Sequence, residues 1–387
     1  MKYLIYFVAA FLILLYSCEE REVLMPSYES IAENAESDGF KISQSEALAI
    51  SDSFRVKSGT RSSCFNLAGV DYVTDVSTRS HTGSDTVAYI FNYRNNGGFT
   101  IVASDNRVSP ILAYSDNGYF TSENVIAKEN FCDRIGDYLR NAIAQGGESK
   151  IPEEELESCA VVSPVVKGFM NQTAPFNKYI VPEHSNLGSP PAGCVAVACA
   201  TVMLHSANSL KYHNSVFKLK SIRDGFISTS ESTRSNNTKR IVGVDVPYAY
   251  DRAVDSIAKL LYWIGKDVNM QYGSDESWAT VSAARNLLET LGFKPSSMSP
   301  YNNGVDVAMY LVDGYIVNVR GSSHSWIIDG CQYCIFSGRI IKPIMHCDWG
   351  WGGACNGFFE GSVFETWNGS FSPSQYYAVK MTDNVLN

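Results

Sequence analysis

The sequence predicts an α+β fold in two segments, on three observations. A helix-like stretch followed by a hairpin signal stands near the front. An acidic stretch with no packing period, residues 145–158, separates it from the rest. Beyond that, a wholly apolar helix and two amphipathic ones give way to strand-like runs punctuated by glycine. A helical half followed by a sheet half implies a cleft between them, the natural place for a site.

With 387 residues the chain has room for two domains, each with its own core. Its 45% hydrophobic and 18% charged residues mark a globular chain. The net charge of −9 and the lack of basic patches exclude nucleic acid as the main partner. Twenty-two Tyr and nineteen Phe suit a β-rich or secreted protein.

Residues 1–17 read as a signal peptide, with Lys2 ahead of an uncharged apolar run from Tyr3 to Leu15 that is short for a bilayer span. Leu15-Tyr16-Ser17-Cys18 resembles a bacterial lipobox, although Tyr16 is bulky for its position. Glu19 and Glu20 resemble the export tag of surface lipoproteins. On that reading Cys18 is lipidated and anchors the protein to the outer membrane; a plain secretory signal cleaved nearby is the alternative. Both readings take the chain out of the cytoplasm. Nine further cysteines then include at least one unpaired thiol. Cys331, Cys334, Cys347 and Cys355 raise a four-thiolate zinc site, but their spacing lacks paired C-x-x-C geometry, so no metal and no cofactor is expected.

In the front segment, Ser43 and Glu46 stand in capping-box register ahead of helical apolar spacing. Residues 85–105 read as two strands joined by Asn95-Asn96-Gly97-Gly98, and 110–120 as a strand and turn. Residues 130–147 have a helical period and end on glycines. Behind the acidic linker comes an irregular stretch, then a buried helix from Cys194. Residues 218–240 read as mostly loop. Helices are expected within 248–268 and 277–293, and strands within 314–321, 324–336, 339–353 and 375–381.

Cys194 follows the flexible Gly193 at the start of an apolar helix. There, backbone N–H groups and the helix dipole favour a thiolate. The bland reading is an inert core thiol, a role that fits Cys199 better. Among six histidines, His324 opens a strand-like run 130 residues after Cys194, as a base should in a papain-like arrangement. His346, two residues before Asp348, is the second candidate. His205 lies roughly 16 Å along the helix, too far to serve. Asp348 could orient the imidazole, and Trp349 and Trp351 could shield that bond. Gln172 could donate to a tetrahedral oxyanion.

The order Gln, Cys, His, Asx-Trp is that of papain-like cysteine peptidases. The papain signature around the cysteine is absent. Instead "AGCVAVACATVM", "SHSWIIDG" and "HCDWGWGGACNGFF" resemble the motifs of the streptopain family, as do "SPVVKGFMNQTAPFN", "NMQYG" and the front-segment pattern "GGFTIVASDNR…ILAYSDNG". The resemblance implies a papain-like domain, a helical half plus an antiparallel sheet half, behind an α+β inhibitory propeptide. It implies an endopeptidase acting on proteins or peptides, with its own propeptide as intramolecular inhibitor. The expected division is signal peptide 1–17, propeptide 18–160 and peptidase 161–387. Residue by residue, it makes Cys194 the nucleophile, His324 the base and acid, and Gln172 part of the oxyanion hole. Gly193 and Trp351 would line the substrate site. The family is expected to have Asn where this chain has Asp348, so Asp348 and Trp349 both stand as candidates to orient His324. Activation cuts are expected between Lys150-Ile151 and Ser163. Other readings of the chain are a non-catalytic surface lipoprotein on the same fold, or another cysteine acyl-transfer enzyme.

Overall fold

The computed structural model describes residues 40–57, 67–74, 86–95, 97–116, 120, 136, 139–141, 144, 158–180, 189–226, 248–302, 304–353, 356–361, 365–366, 369–370, 372–381 and 385–386. The signal peptide with Cys18, the linker 145–157, His81, His184 and Cys355 lie outside the described residues.

Helix α1 (Gln44–Lys57) opens on the expected capping box. The Ser43 N–H donates to Glu46 Oε2 at 2.7 Å, and the Glu46 N–H donates back to Ser43 Oγ at 3.3 Å. Ala47, Ile50 and Phe54, at helical spacing, pack on the strands that follow. Those are β1 (Leu67–Thr74), β2 (Thr86–Tyr93), β3 (Phe99–Ala103) and β4 (Ile111–Ser115), an antiparallel meander. The β2–β3 turn uses Asn95 at φ 58° and Gly98 at φ 85°, a left-handed backbone these two residue types tolerate. Arg55 is wholly buried; its guanidinium lies 4.2 Å over the Tyr93 ring and donates to the Ser115 and Gly97 carbonyls. Residues 136, 139–141 and 144 are helical, in line with the helix expected over 130–147.

Strand β5 (Ser158–Val162) leads into the second segment. Helix α2 (Cys194–Ser206) has eleven buried residues out of thirteen, as its apolar sequence demands. Helices α3 (Tyr248–Asp267), α4 (Val281–Thr290) and α5 (Val305–Val312) follow. The sheet half is β6 (Tyr315–Gly321), β7 (His324–Phe336), β8 (Arg339–Asp348), β9 (Gly357–Glu360) and β10 (Pro373–Lys380). Short hairpins lie at 209–217 and 271–278.

One eleven-stranded sheet runs through both segments, in the order β1-β2-β3-β4-β9-β8-β7-β6-β10 with Ser299–Pro300 at the far edge. The front meander joins the rest where Ala113 and Tyr114 pair with Phe359 and Phe358. The Tyr114 and Phe358 rings stack there at 4.9 Å. β5 adds to β7 through five paired residues, and a disulfide links Cys159 to Cys334 within that pairing.

The period-two alternation of the strands sorts their side chains to two faces. Ile316, Ile327, Tyr377 and Val379 face the helices α2, α3 and α4. Val317, Trp326, Ile328 and Ala378 face a second core. That core holds α5 and also Ile90, Ile101, Leu112 and Phe120 of the front segment.

Several elements differ from expectation. Residues 219–226 form a helix inside the stretch read as loop, because Leu219, Ile222 and Phe226 recur at helical spacing and bury in the main core. Helix α5 and strand β9 are too short for a periodic signal and are held by tertiary packing. Cys334 is bonded to Cys159, whereas Cys331 and Cys347 are free and buried. Among the described residues, no helix is long and apolar enough to cross a membrane.

Candidate active site

Cys194 begins α2 with Gly193 as its N-cap at φ 88°. A Cβ at Gly193 would stand 2.7 Å from Met270 Sδ and 3.2 Å from the Ser277 carbonyl, so only glycine fits both the backbone angle and the space. No side chain caps this helix and no acidic residue lies in its first turn. Its leading N–H groups are therefore not spent on a cap. The sulfur feels the backbone N–H groups of Ser325, Val195 and Cys194 itself. Burial is the larger effect, and it pushes the thiol above its ordinary value, helped by the charge of Glu276. Cys199, five residues on, is wholly buried with its thiol pushed far up by burial, as a packing residue should be.

Gln172 arrives beside this cysteine through its backbone. The Ala192 N–H donates to the Gln172 carbonyl at 2.7 Å, two residues before Cys194. The Gln172 N–H is in turn held by Asn171 Oδ1 at 2.7 Å. The same strap accepts from the Gly352 N–H at the Met170 carbonyl, 2.8 Å, which ties it to the loop after Trp351.

His324 sits at the first position of β7, at a turn in which Ser322 takes φ 49°. It is 7% exposed. Its Nε2 lies 3.0 Å from the Trp349 carbonyl oxygen. A carbonyl only accepts, so Nε2 carries the proton and Nδ1 is left as the basic nitrogen of the neutral ring. The ring stands 4.7 Å from Trp351, and 6.3 and 6.1 Å from Trp326 and Trp349. Burial depresses its pKa to about 4 against the pull of the Trp349 carbonyl. Cys194, Val197, Ala198 and Thr201 of α2 and Ser325, Trp326 and Ile327 of β7 line one small gap with Asp348, Trp349 and Gly350, so the start of α2 packs against the start of β7 just past His324.

Asp348 takes a different place from the one expected of an orienter. It ends β8, and the chain turns at Gly350, φ 71°. Its Oδ1 folds back to accept from the Gly350 N–H and from Asn356 Nδ2, both at 3.1 Å. The group reaching His324 Nε2 is the Trp349 carbonyl. Burial raises the Asp348 pKa to about 6; the Gly350 N–H and the Asn356 amide oppose the rise and the Asp329 charge adds to it. His346, the second candidate base, is committed elsewhere: its Nδ1 lies 2.6 Å from Asp329 Oδ1. Asp329 Oδ2 accepts from the Val166 N–H at 2.7 Å. His205 bonds the Thr201 carbonyl, and His213 pairs with Asp267 and stacks on Trp263.

The structure thus sets Cys194 against the backbone of Ser325, the residue after His324, with the Gln172 carbonyl tied to Ala192 and with Trp349 and Trp351 beside the His324 ring. Sequence reasoning missed Asn356, a buried residue whose only advance sign is its position just after the glycine-rich Trp-Gly-Trp-Gly-Gly block. It also missed the Met270 and Ser277 wall beside Gly193, which no sequence spacing reveals.

Residues 170–359 match the model of the Peptidase C10 family, and residues 40–136 match that of the Spi protease inhibitor. Streptopain of Streptococcus pyogenes serotype M1 is 28% identical over 316 residues, 70% of this chain and 73% of that protein. The thiol protease/hemagglutinin PrtT of Porphyromonas gingivalis is 22% identical over 344 residues, 79% of this chain and 37% of that protein. Among solved structures, a prointerpain A fragment of Prevotella intermedia superposes with a TM-score of 0.48 at 19% identity, covering 82% of this chain and 99% of that one. The active wild-type interpain A cysteine protease gives 0.37 at 19%, covering 61% and 99%. The peptidase segment, residues 170–359, belongs to the Peptidase C10 family, and the chain is a cysteine-type peptidase that carries its own inhibitor segment ahead of it.

Proposed function

We propose that this chain is an exported cysteine endopeptidase made as a latent precursor, with Cys194 as nucleophile and His324 as general base and acid. The observation that carries this reading is the meeting of the α2 start and the β7 start at one gap, with His324 held by the Trp349 carbonyl. In the reaction, Nδ1 of His324 takes the Cys194 proton and the thiolate attacks the peptide carbonyl. The Gln172 amide and the Cys194 N–H receive the oxyanion. The imidazolium protonates the leaving amine, leaving a thioester. A water, deprotonated by the same histidine, then releases the carboxylate and restores the thiol.

In the full chain burial raises the Cys194 thiol and depresses His324 to about 4, which disfavours the charged thiolate–imidazolium pair. The inhibitor segment abuts the site's supporting loop, where Ser115 Oγ donates to the Asn356 carbonyl at 2.7 Å. The peptidase segment is taken to begin before Ser158 and not at 161, since β5 belongs to its sheet and is cross-linked to it. Export rests on the leader, and outer-membrane anchoring on lipidation of Cys18. The expected subsite preference is for a hydrophobic side chain next to the scissile residue.

Expression of wild type and Cys194→Ala side by side tests the proposal. The wild type shortens to a C-terminal fragment while the variant stays full length. Identical processing of the two removes self-cleavage from the account.

A further inference from the structure

A polar side chain well placed to govern His324 is Asn356, which lies in the "HCDWGWGGACNGFF" stretch without a role of its own in the resemblance. Asn356 is buried at 3% exposure; its N–H donates to the Gly353 carbonyl at 3.3 Å, and three further hydrogen bonds have three different consequences. Its Oδ1 accepts from the Trp349 N–H at 3.1 Å, fixing the peptide unit next to the one whose carbonyl holds His324. Its Nδ2 donates to Asp348 Oδ1 at 3.1 Å, satisfying a carboxylate that is itself buried at 4%. Its backbone carbonyl accepts from Ser115 of the inhibitor segment at 2.7 Å.

An amide suits the place because both functions are used at once. The Trp349 N–H requires an acceptor and the Asp348 carboxylate requires a donor, and one planar amide presents an oxygen to the first and an NH₂ to the second. A carboxylate at 356 would face Asp348 as a like charge, and an alanine would strand a buried N–H and a buried carboxylate together. Two glycines with left-handed backbone, Gly350 at φ 71° and Gly353 at φ 87°, stand between Trp349 and Asn356, so the Asn356 amide joins the Gly352–Met170 bond in fixing the loop.

We propose that Asn356 is a positioning residue for the reaction: it clamps the Asp348–Trp349 backbone so that the Trp349 carbonyl keeps His324 in its reactive orientation. This rests on the proposed roles of Cys194 and His324. Because Ser115 holds the same residue from the far side, the inhibitor segment and the imidazole share one support.

The test uses the full chain, matured, with kcat and KM on a peptide substrate normalised to the fraction of chain that an epoxide labels at Cys194. Asn356→Ala and Asn356→Asp should each lower kcat per labelled site by about 10-fold or more, with KM within about 3-fold of wild type, because small misplacements of a base are costly. The reciprocal variant Asp348→Asn with Asn356→Asp rebuilds both bonds with the charge moved across, and should return kcat to within about 3-fold of wild type. A residue that serves stability alone would change the labelled fraction and leave kcat per labelled site unchanged, and that result overturns the proposal. So does a reciprocal variant no better than Asn356→Asp, which also decides the matter if the single variants do not fold. Absence of label on the wild type would instead overturn the roles given to Cys194 and His324.

Discussion

The Trp349 carbonyl oxygen lies 3.0 Å from His324 Nε2, so a main-chain group, not a side-chain carboxylate, holds the imidazole. A backbone acceptor fixes the tautomer without adding a negative charge beside the ring. Burial outweighs the pull of that carbonyl and depresses the pKa to about 4.

The first consequence concerns thiol reactivity. In the full chain, alkylation of Cys194 by iodoacetamide, mapped by peptide mass, should be slow at neutral pH and rise only above the ordinary thiol range near about 8.5. The sign follows from the raised thiol: the thiolate fills only as pH climbs through that raised value. If removal of the inhibitor segment lets the thiolate–imidazolium pair form, alkylation should persist below roughly pH 6. A full chain that alkylates equally fast at pH 6 and pH 9 contradicts the latency argument.

Asp348 gives a stability prediction of defined sign. Its folded pKa, about 6, stands above the unfolded carboxylate value, so the folded state gains from protonation at low pH and loses that gain as pH rises through about 6. Asp348→Asn keeps an oxygen for the Gly350 N–H and the Asn356 amide and removes the buried charge. It should raise Tm at pH 7.5, by the equivalent of up to about 3 kcal/mol for a two-unit shift, and leave stability at pH 4 nearly unchanged. A Tm loss of equal size at both pH values would contradict this.

Strand β5 should stay with the peptidase. Five residues pair with β7, Cys159 is bonded to Cys334 across 175 residues of chain, and Val166 just beyond is held by the buried Asp329. Proteolysis needs an unpaired, extended segment, which β5 is not. Digestion of the Cys194→Ala chain with a broad-specificity serine protease should give a peptidase fragment starting at or before Ser158. Intact mass after reduction should differ only by the hydrogens of the opened disulfide. A fragment starting at Pro164, or a Cys159 peptide released by reductant, contradicts it.

Much of this was legible in the sequence. The capping box at Ser43 and Glu46, the hairpin at Asn95–Gly98 and the apolar helix after Gly193 rest on local rules, and each formed where those rules put it. Helix α5, strand β9 and the helix at 219–226 are short and owe their state to the core they pack against. The candidate nucleophile and base were legible because helix start and strand start carry their own signatures. The orienting group was legible only as a choice between Asp348 and Trp349, and not as a main-chain atom. A backbone carbonyl has no letter in the sequence, and Asp348 drew attention to a side chain that the turn at Gly350 folds away.

The account stands most directly on Cys194. The matured protein, under reducing conditions, is treated with an epoxide inhibitor of cysteine proteases and the site of modification mapped by mass. One inhibitor on Cys194, with loss of peptidase activity in proportion and no reaction in His324→Ala, is the predicted result. An active, folded protein left unmodified at Cys194 would contradict it.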